Sequence, residues 1–470
     1  MSARGPNVVL VILDAARRDA LEPYGAPAGS SPAVAQLAAR GVAMPGVHAT
    51  GCWTVPSHGS FFTGLLPRAA GLSQAPSPAA ARPALERHRD RLLAEVLRRA
   101  GYATAAVSAN LWLSEASGFA IGFDEFASVE IDRHGELDLG QGAAQRWRWV
   151  RDAALARGDD GARGAEETMA GWLDRPREKP FFWFVNLLEA HSPYLPPRPY
   201  GDVSTLDRVR AAQDARRYYT LQAIWQAAAG SLEVPAETLE RMRRLYAGAV
   251  RYLDDWLARL LERLDARGIL EETLVIVASD HGDNFGEGGL IAHTHSLDER
   301  LIGVPFVAAG PGADGRHLRS LAELPRFVAE AAGLASHPWG DGQLPEGAAV
   351  AQFDPPTDED DERLHRAARE WGWSDEQVRR FATPLTCAVG DGLKLLRRGN
   401  AEELYDLRAD PLERAPVPLA SADAQAVAAL RRALEHPAAA AAPPAQASAP
   451  APSAEELADI EERMRLLGYM

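Results

Sequence analysis

The sequence predicts an α/β protein with a mainly parallel central sheet and helices on both of its faces. Three observations lead to this prediction. Four short apolar runs lack the polar alternation of a half-exposed strand, so each is expected to be buried on both sides. Amphipathic segments with helical spacing separate these runs along the chain. Each run ends in polar residues, as strands do where they enter a loop. The alternation of buried strands with helices along the chain is typical of parallel sheets.

The four predicted strands follow one another along the chain. They are NVVLVIL ending at Asp14, ATAAVSAN ending at Asn110, PFFWFVNLLEAH ending near His191 and TLVIVASDH ending at His281. The segment MRRLYAGAVRYLDDWLARLLERLDARG, which precedes the last strand, has apolar residues at helical spacing. Gly268 stands where the C-terminal cap of that helix is expected, so the helix is predicted to end there.

Composition divides the chain into four predicted parts. Residues 1–384 hold the large α/β domain, and residues 385–435 form a small antiparallel subdomain. Residues 436–452 are rich in Ala and Pro and are predicted to be a linker, since they cannot build a core. Residues 453–470 begin with a capping-box pattern and carry an apolar stripe at helical spacing. We therefore expect a C-terminal helix that docks on the body or, in a homo-oligomer, on a second copy.

Charge and hydropathy limit the partners and the location of the protein. The formal net charge of −15 argues against broad electrostatic binding to nucleic acid or to an anionic membrane surface. The apolar run at residues 8–13 is too short to span a bilayer and lacks a small-residue cleavage site. These features predict a cytoplasmic protein without stable membrane insertion. A small anionic substrate is compatible with this charge, because a bound divalent cation can outweigh the overall field locally.

Polar residues at the ends of the predicted strands indicate a divalent-metal site. Asp14 and the pair Asp280–His281 combine hard carboxylate oxygens with one imidazole, which suits such a metal. Asp14 taken alone is better explained as a helix N-cap than as a metal ligand. The loop SDHGDNFGEGG is more specific, because potential ligands and glycines crowd directly behind a buried strand. In open α/β sheets this edge is where ligands bind, so the metal is expected there.

The segment CWTVPSHGSFFTG at residues 52–64 offers possible nucleophiles for such a site. It contains one Cys, several hydroxyl side chains and a His, and it is expected to begin a helix. Coordination to a metal lowers the pKa of a hydroxyl group, so that a Ser or Thr can attack near neutral pH. The helix N-terminus would add N–H donors for an anionic ester. From these residues alone, the choice of nucleophile stays open.

The chain as a whole resembles the sulfatase-like branch of the alkaline phosphatase superfamily. The resemblance rests on an ordered set of segments: NVVLVILDAARRDALEPYG, WTVPSHGSFFTG, LAEVLRRAGYATAAVSANLWLS, GFDEF, EAHSPYLPP, TLVIVASDHGDNFGEGGLIAHTHSLDERLIGVPFVAAGPG and ELYDLRADPLER. It implies an alkaline-phosphatase-like fold, with a sulfatase-like catalytic domain at residues 1–384 and the small subdomain after it.

The resemblance also selects a nucleophile. The family motif places this residue two positions before a Pro, and counting back from Pro56 gives Thr54. Cys52 lies two positions too early to be the cysteine that sulfatases oxidise to formylglycine. That maturation signal also has Arg where His58 stands here. The resemblance therefore implies a Thr54 nucleophile, with Cys52 as a packed thiol.

The remaining matches imply a single-metal site. Sulfatases usually carry a second Asp where Ala15 stands in this chain. The ligand set is similar to that of single-metal phosphodiesterases, phosphonate monoester hydrolases and phosphoglycerol transferases; it comprises Asp14, Thr54, Asp280 and His281. One divalent ion is implied, with Mn²⁺ favoured and Zn²⁺, Ca²⁺ or Mg²⁺ as alternatives.

Substrate-facing roles are expected for five further residues. His191 and His293 are implied as catalytic, each able to protonate a leaving group, and His293 stands where sulfatases have Lys. Asn110 replaces the Lys-x-His of the family and is expected to bind the substrate. His58 is placed in the same group, although it would serve equally well as a helix cap. His295 is the second His of HTH, and the two can divide their roles either way.

We expect a metal-dependent hydrolase or transferase that cleaves phosphodiester or phosphonate esters, and so a small anionic substrate, through a covalent Thr54 intermediate. Three alternatives stay open. The first is a true sulfate-ester hydrolase, and the second is a non-catalytic metal-binding member of the family. The third is a two-metal phosphatase or mutase, with Glu189 and the neighbouring histidines as additional ligands.

Overall fold

The structure, a computed structural model, describes residues 5–131, 143–176 and 179–441. The strands are β1 (Asn7–Leu13), β2 (Gly41–Ala43), β3 (Ala103–Ser108), β4 (Glu125–Ser128), β5 (Phe181–Leu187), β6 (Thr273–Ala278), β7 (Asn284–Phe285), β8 (Ile291–Ala292), β9 (Phe306–Ala309), β10 (Ala349–Phe353), β11 (Leu385–Gly390), β12 (Leu393–Arg398) and β13 (Ala401–Asp406). The α-helices are α1 (Pro32–Ala39), α2 (Thr54–Thr63), α3 (Pro67–Ala70), α4 (Pro78–Arg87), α5 (Leu93–Arg99), α6 (Ala143–Leu155), α7 (Ala162–Leu173), α8 (Thr205–Tyr218), α9 (Leu221–Ala228), α10 (Ala236–Ala266), α11 (Glu299–Ile302), α12 (Leu324–Ala331), α13 (Glu362–Trp371), α14 (Asp375–Ala382), α15 (Ala424–Glu435) and α16 (Pro437–Ala440).

The large sheet contains strands in the order β2, β9, β6, β1, β5, β3 and β4. Neighbouring strands from β6 to β4 run parallel, while β9 runs antiparallel to both β2 and β6. The four strands expected from the sequence are β1, β3, β5 and β6, and they form the parallel part. The predicted α/β fold with a mainly parallel central sheet is therefore confirmed.

Each face of this sheet packs against its own layer of helices. In β1, Val8, Leu10 and Ile12 belong to one apolar cluster, which includes side chains of α2, α5 and α12. Val9 and Val11 belong to another cluster, which includes side chains of α1, α7 and α10. Successive residues of a strand point to opposite faces. Both faces of β1 are therefore buried, which explains why its sequence is apolar throughout.

A smaller antiparallel sheet of β10, β11, β12 and β13 follows the large one in the chain. Helix α15 covers it with side chains that include Val427 and Leu430. The small antiparallel part of the predicted fold is thus confirmed. Its first strand, β10, precedes residue 385, so the sheet begins earlier in the chain than the predicted boundary.

The start of the predicted linker at 436–452 is folded as α16. Ala439 in this helix is buried, and its carbonyl accepts a hydrogen bond of 2.8 Å from Gln352 Nε2. The rest of the linker, from residue 442, and the predicted helix at 453–470 lie outside the described residues. In the part of the chain that the structure describes, no helix combines the length and the apolar character needed to cross a membrane.

Substitution of Leu257 on α10 tests how the helices pack against the sheet. Its side chain is fully buried in the cluster of α1, α7 and α10. We expect Leu257→Ala to lower the free energy of unfolding by about 2–5 kcal/mol, because the substitution leaves a cavity that only partly collapses. The control is Leu206→Ala, since Leu206 is 57% exposed. That control is expected to change the free energy by at most about 0.5 kcal/mol. Urea denaturation measures both values, and similar losses in the two variants would contradict the packing described.

Candidate active site

Asp14, Asp280 and His281 lie together at the carboxyl edge of the parallel sheet. Asp14 follows β1 and the other two follow β6, and these neighbouring parallel strands pair Ile12 with Ala278. Two residues beyond that pair, the register brings Asp14 and Asp280 side by side. One ligand atom from each of the three side chains lies within 4.8 Å of the others, and all three side chains are fully buried. We call these three residues the metal cluster.

Three atoms of the metal cluster lack a hydrogen-bond partner: Asp14 Oδ1, Asp280 Oδ2 and His281 Nε2. Buried polar atoms without a partner are rare in native proteins. Two carboxylate oxygens and one imidazole nitrogen that converge in this way suit a divalent cation. The opposite nitrogen of His281, Nδ1, lies 2.9 Å from the Gly282 carbonyl, so it carries the proton and leaves Nε2 as a potential ligand. The residues present therefore fit a metal ion.

The electrostatics of the metal cluster also favour a cation. Burial and, second, the neighbouring Asp14 raise the pKa of Asp280 well above its ordinary value. Burial and, second, the nearby His293 lower the pKa of His281 well below its ordinary value. Without a cation, two adjacent carboxyl groups in this environment do not both ionise readily. A bound cation would remove this conflict and leave His281 neutral, as a ligand must be.

Two asparagines hold the second oxygen of Asp14. Asn110 Nδ2 donates to Asp14 Oδ2 at 2.8 Å, and Asn186 Nδ2 donates to the same oxygen at 3.1 Å. Asn110 Nδ2 also donates to Thr54 Oγ1 at 3.4 Å, so one amide joins the expected nucleophile to the metal cluster. A substrate contact by Asn110 stays a prediction. Asn186 was not expected from the sequence, although it is the polar residue inside the apolar run of β5.

Thr54 is the first residue of α2 and is buried. One turn later, His58 Nδ1 lies 2.9 Å from the Thr54 carbonyl and 3.4 Å from Asp280 Oδ2. Burial lowers the pKa of His58 to about 3, so this imidazole is neutral and donates from Nδ1. The ring also packs against Phe61 and Phe184. The structure thus places His58 in contact with Thr54 and Asp280, and its predicted contact with substrate stays a prediction.

His191 and His293 lie beside the metal cluster. Their ring centroids are 4.7 Å apart, and the His293 ring stacks on His281 at 4.3 Å. His191 Nδ1 lies 2.8 Å from the Ser192 carbonyl, so its Nε2 is oriented away from that contact. Both predicted catalytic histidines are therefore brought to one place, next to the potential metal ligands.

Asp283 is a further residue of this site that the sequence did not single out. Its Oδ1 lies 3.4 Å from His293 Nδ1, and its other oxygen accepts a hydrogen bond from the Tyr194 hydroxyl. Burial raises the pKa of Asp283 to about 7. Asp283 belongs to the SDHGDNFGEGG loop, and Tyr194 belongs to the EAHSPY segment, so both lie within segments that the sequence did indicate.

His295 and Glu189 take part in other contacts. The His295 ring packs against Phe381 at 4.1 Å and Phe353 at 4.9 Å. Glu189 Oε1 accepts a hydrogen bond of 2.7 Å from the Ala162 amide at the start of α7. Across residues 5–131, 143–176 and 179–441, the metal cluster is the one group of three or more acidic, His or Cys ligands close enough to share an ion.

Cys52 is a free, buried thiol. Burial raises its pKa to about 12, so the thiol is protonated at neutral pH. A protonated thiol is a poor nucleophile. These properties agree with the packed thiol that the family resemblance implies.

Comparison with known sequences identifies a protein family and several relatives of this chain. A model of the sulfatase family matches residues 6–337 of this chain. The choline-sulfatase of Rhizobium meliloti (strain 1021) is 27% identical over 267 residues, which cover 51% of this chain and 46% of the relative. The multifunctional alkaline phosphatase superfamily protein PehA of Trinickia caryophylli is 26% identical over 162 residues, or 31% of each chain. The aligned region thus spans about half or less of these curated relatives.

Solved structures share the fold over most of the chain. The phosphonate monoester hydrolase of Agrobacterium radiobacter superposes with a TM-score of 0.60 at 20% sequence identity. The match covers 97% of this chain and 96% of the hydrolase chain. A 2-O GAG sulfatase has a TM-score of 0.62 at 16% identity, covering 92% and 91%. The family model matches well over half of the chain, so this chain belongs to the sulfatase family.

Proposed function

We propose that this protein is a hydrolase or transferase of singly charged esters, with phosphodiesters and phosphonate monoesters preferred over sulfate esters. One observation carries the proposal. Three buried ligand atoms without hydrogen-bond partners converge at the edge of the sheet, and Asn110 contacts both Asp14 of this group and the Thr54 hydroxyl. A nucleophile next to a potential cation site, with two imidazoles adjacent, is an arrangement suited to ester cleavage.

The metal cluster and Thr54 would hold one divalent cation, for which Mn²⁺ is favoured and Zn²⁺, Ca²⁺ and Mg²⁺ are alternatives. When bound, such an ion lowers the pKa of a hydroxyl group and offsets the negative charge of an ester. The protein contributes the placement of the ligands. Asn110 and Asn186 hold Asp14, while the Ala15 amide donates to Asp280 Oδ1 at 3.2 Å.

In the proposed reaction, Thr54 has lost its hydroxyl proton to solvent and reacts as an alkoxide. Its Oγ1 attacks the phosphorus atom, and the bond from phosphorus to the leaving alcohol breaks. The departing oxygen takes a proton from the imidazolium form of His293 or His191, whose ring centroids lie 4.7 Å apart. A water molecule, or a second alcohol in a transfer reaction, then attacks the phosphothreonine and releases the group. The same imidazole takes the proton of that attacking molecule, so Thr54 and the histidine return to their starting states.

The neutral surroundings of the metal cluster support a singly charged substrate. The carboxylates of Asp14 and Asp280 contact amide and imidazole side chains, those of Asn110, Asn186 and His58. One divalent ion would be balanced by the two carboxylates, which leaves little net positive charge. A doubly charged phosphate monoester would therefore be attracted less strongly than a diester, a phosphonate monoester or a sulfate ester.

Thr54 itself favours phosphorus over sulfur. A formylglycine hydrate can expel sulfate through its second hydroxyl group, and a threonine side chain has no such group. Hydrolysis of phosphothreonine needs only the attack of water on phosphorus. Sulfate-ester hydrolysis is the second candidate, because the similar proteins include a choline-sulfatase and a 2-O GAG sulfatase.

Paired chromogenic substrates test the nucleophile and the substrate class together. A phosphodiester and a sulfate monoester with the same leaving group are offered to Mn²⁺-loaded protein. We expect wild type to prefer the diester, and Thr54→Ala to lose about a thousandfold or more in kcat, because the covalent step lacks its nucleophile. Cys52→Ala is the matched control and is expected to retain turnover. Sulfate turnover that survives in Thr54→Ala would contradict the assignment of Thr54.

A series of diesters with different leaving alcohols identifies the proton donor. Removing the donor is expected to lower kcat more strongly as the pKa of the leaving alcohol rises, because a basic alkoxide leaves poorly without a proton. We therefore expect either His293→Gln or His191→Gln to steepen this dependence, while the other lowers kcat evenly across the series. Steady-state kinetics measure both slopes. Unchanged slopes in both variants would argue against a histidine proton donor.

Metal binding is expected to weaken as the pH falls. Burial and Asp14 raise the pKa of Asp280, so protons compete with the cation for this carboxylate over a wider pH range than for an ordinary Asp. Calorimetry in buffers of different ionisation enthalpy should detect protons released on Mn²⁺ binding, and Asp280→Asn should weaken binding about tenfold or more. Asp254→Asn is the control. Asp254 is also a buried Asp, but its carboxylate caps the start of α1 and is not part of the metal cluster. Affinity independent of pH and of Asp280 would contradict the assigned site.

A further inference from the structure

We propose that Lys394, on the small antiparallel sheet, is a positioning residue for the active site. Through Glu413 and Glu299 it would fix the loop that follows His293 against the segments that lead to Thr54 and His281. The inference rests on the proposed function, since it assigns a role in the same reaction. It adds that the small sheet takes part in assembling the site.

Lys394 is a fully buried cation with two acceptors. Its Nζ donates to the carbonyl of Leu297 and, at 2.5 Å, to Glu413 Oε2. Burial alone would lower the pKa of Lys394, but the neighbouring groups, with Glu413 first and Glu299 among them, together outweigh this effect and raise the pKa above its ordinary value. Leu297 lies four residues after His293, so the charged ammonium group holds the end of the loop that carries this histidine.

Glu413 extends the connection to α11. Its Oε2 also accepts a hydrogen bond of 2.9 Å from the Glu299 amide, the first N–H of that helix. The backbone of Glu413 has φ of 52°, in the left-handed region that side chains other than glycine rarely adopt. A non-glycine residue persists in this conformation where its surroundings determine it strongly. Here the carboxylate receives both Lys394 and the start of α11.

The Glu299 side chain reaches the segments on either side of the metal cluster. Its Oε2 lies 3.2 Å from His48 Nε2 and 3.3 Å from Arg18 Nη2. Arg18 follows Asp14 by four residues, and His48 precedes Thr54 by six. This buried carboxylate therefore lies between the segment after the first ligand and the segment before the nucleophile.

The backbone of α11 completes the connection. The Leu301 carbonyl accepts a hydrogen bond of 2.8 Å from the amide of Gly282, which directly follows His281. The Ile302 carbonyl accepts one of 2.7 Å from the amide of Ala49. A side chain at Gly282 would meet the Arg300 carbonyl at 1.9 Å, so the helix and the ligand loop are in close contact. A shift of α11 would thus be transmitted to both neighbouring segments.

Kinetics of charge-removing variants separate positioning from simple stability. Lys394→Met leaves Glu413 buried without its partner, whereas Lys394→Met/Glu413→Met replaces both charges by apolar groups of similar size. We expect the double variant to regain most of the melting temperature that the single variant loses, because apolar replacement of a buried ion pair is well tolerated. We expect kcat to stay about tenfold or more below wild type in both, with a smaller change in KM, because misplaced reacting groups slow the chemical step.

The matched control is Arg397→Met on the same strand. Arg397 pairs with Glu402 at 2.9 Å, and its side chain is 32% exposed. We expect this variant to keep the kcat of wild type. If kcat recovers together with the melting temperature in the double variant, Lys394 serves stability alone and the inference is overturned.

Hydrogen exchange provides a readout that does not depend on turnover. In Lys394→Met/Glu413→Met we expect faster exchange at the amides of Glu299, Gly282 and Ala49, and unchanged exchange there in Arg397→Met. Unchanged protection at these three amides would overturn the positioning role whatever the activity. Faster exchange in a protein whose wild type turns over neither diesters nor sulfate esters would support the connection and reject the proposed function.

Discussion

The candidate active site depends on the placement of two carboxylates, Asp14 and Asp280, at the ends of neighbouring parallel strands and away from water. Such a pair is unfavourable in a buried environment unless a proton or a cation offsets the charge. The surrounding groups keep the pair in place. Asn110 and Asn186 donate to Asp14, and the amide of Ala15 donates to Asp280, while one oxygen of each carboxylate is left for a ligand.

The proposed nucleophile, Thr54, is placed by contacts with these same groups. Thr54 begins α2 and lies within hydrogen-bond distance of Asn110, which also holds Asp14. His58, one turn into the helix, contacts both the Thr54 carbonyl and Asp280. The start of α2 is therefore fixed to the ends of β1 and β6. Enzymes that act through a preorganised polar site need this kind of support behind the reacting groups.

Much of the fold and part of the site were predictable from local patterns. Continuous apolar runs indicated doubly buried strands, and Asp14, Asp280 and His281 were predicted as ligands because the carboxyl ends of parallel strands meet at one edge. The resemblance to sulfatases selected Thr54. Asn186 was missed because a single polar residue inside a strand carries no pattern of its own.

The sequence by itself determined the alternation of strands and helices, the residues at the strand ends and the family, since these follow from periodicity and from ordered motifs. Tertiary structure decided which polar residues contact one another. His295 is two residues from His293, yet its ring packs against Phe353 and Phe381, whereas His293 stacks on His281. The physical reason is that the direction of a loop side chain is set by packing against segments distant in the chain, and spacing along the sequence does not encode that direction.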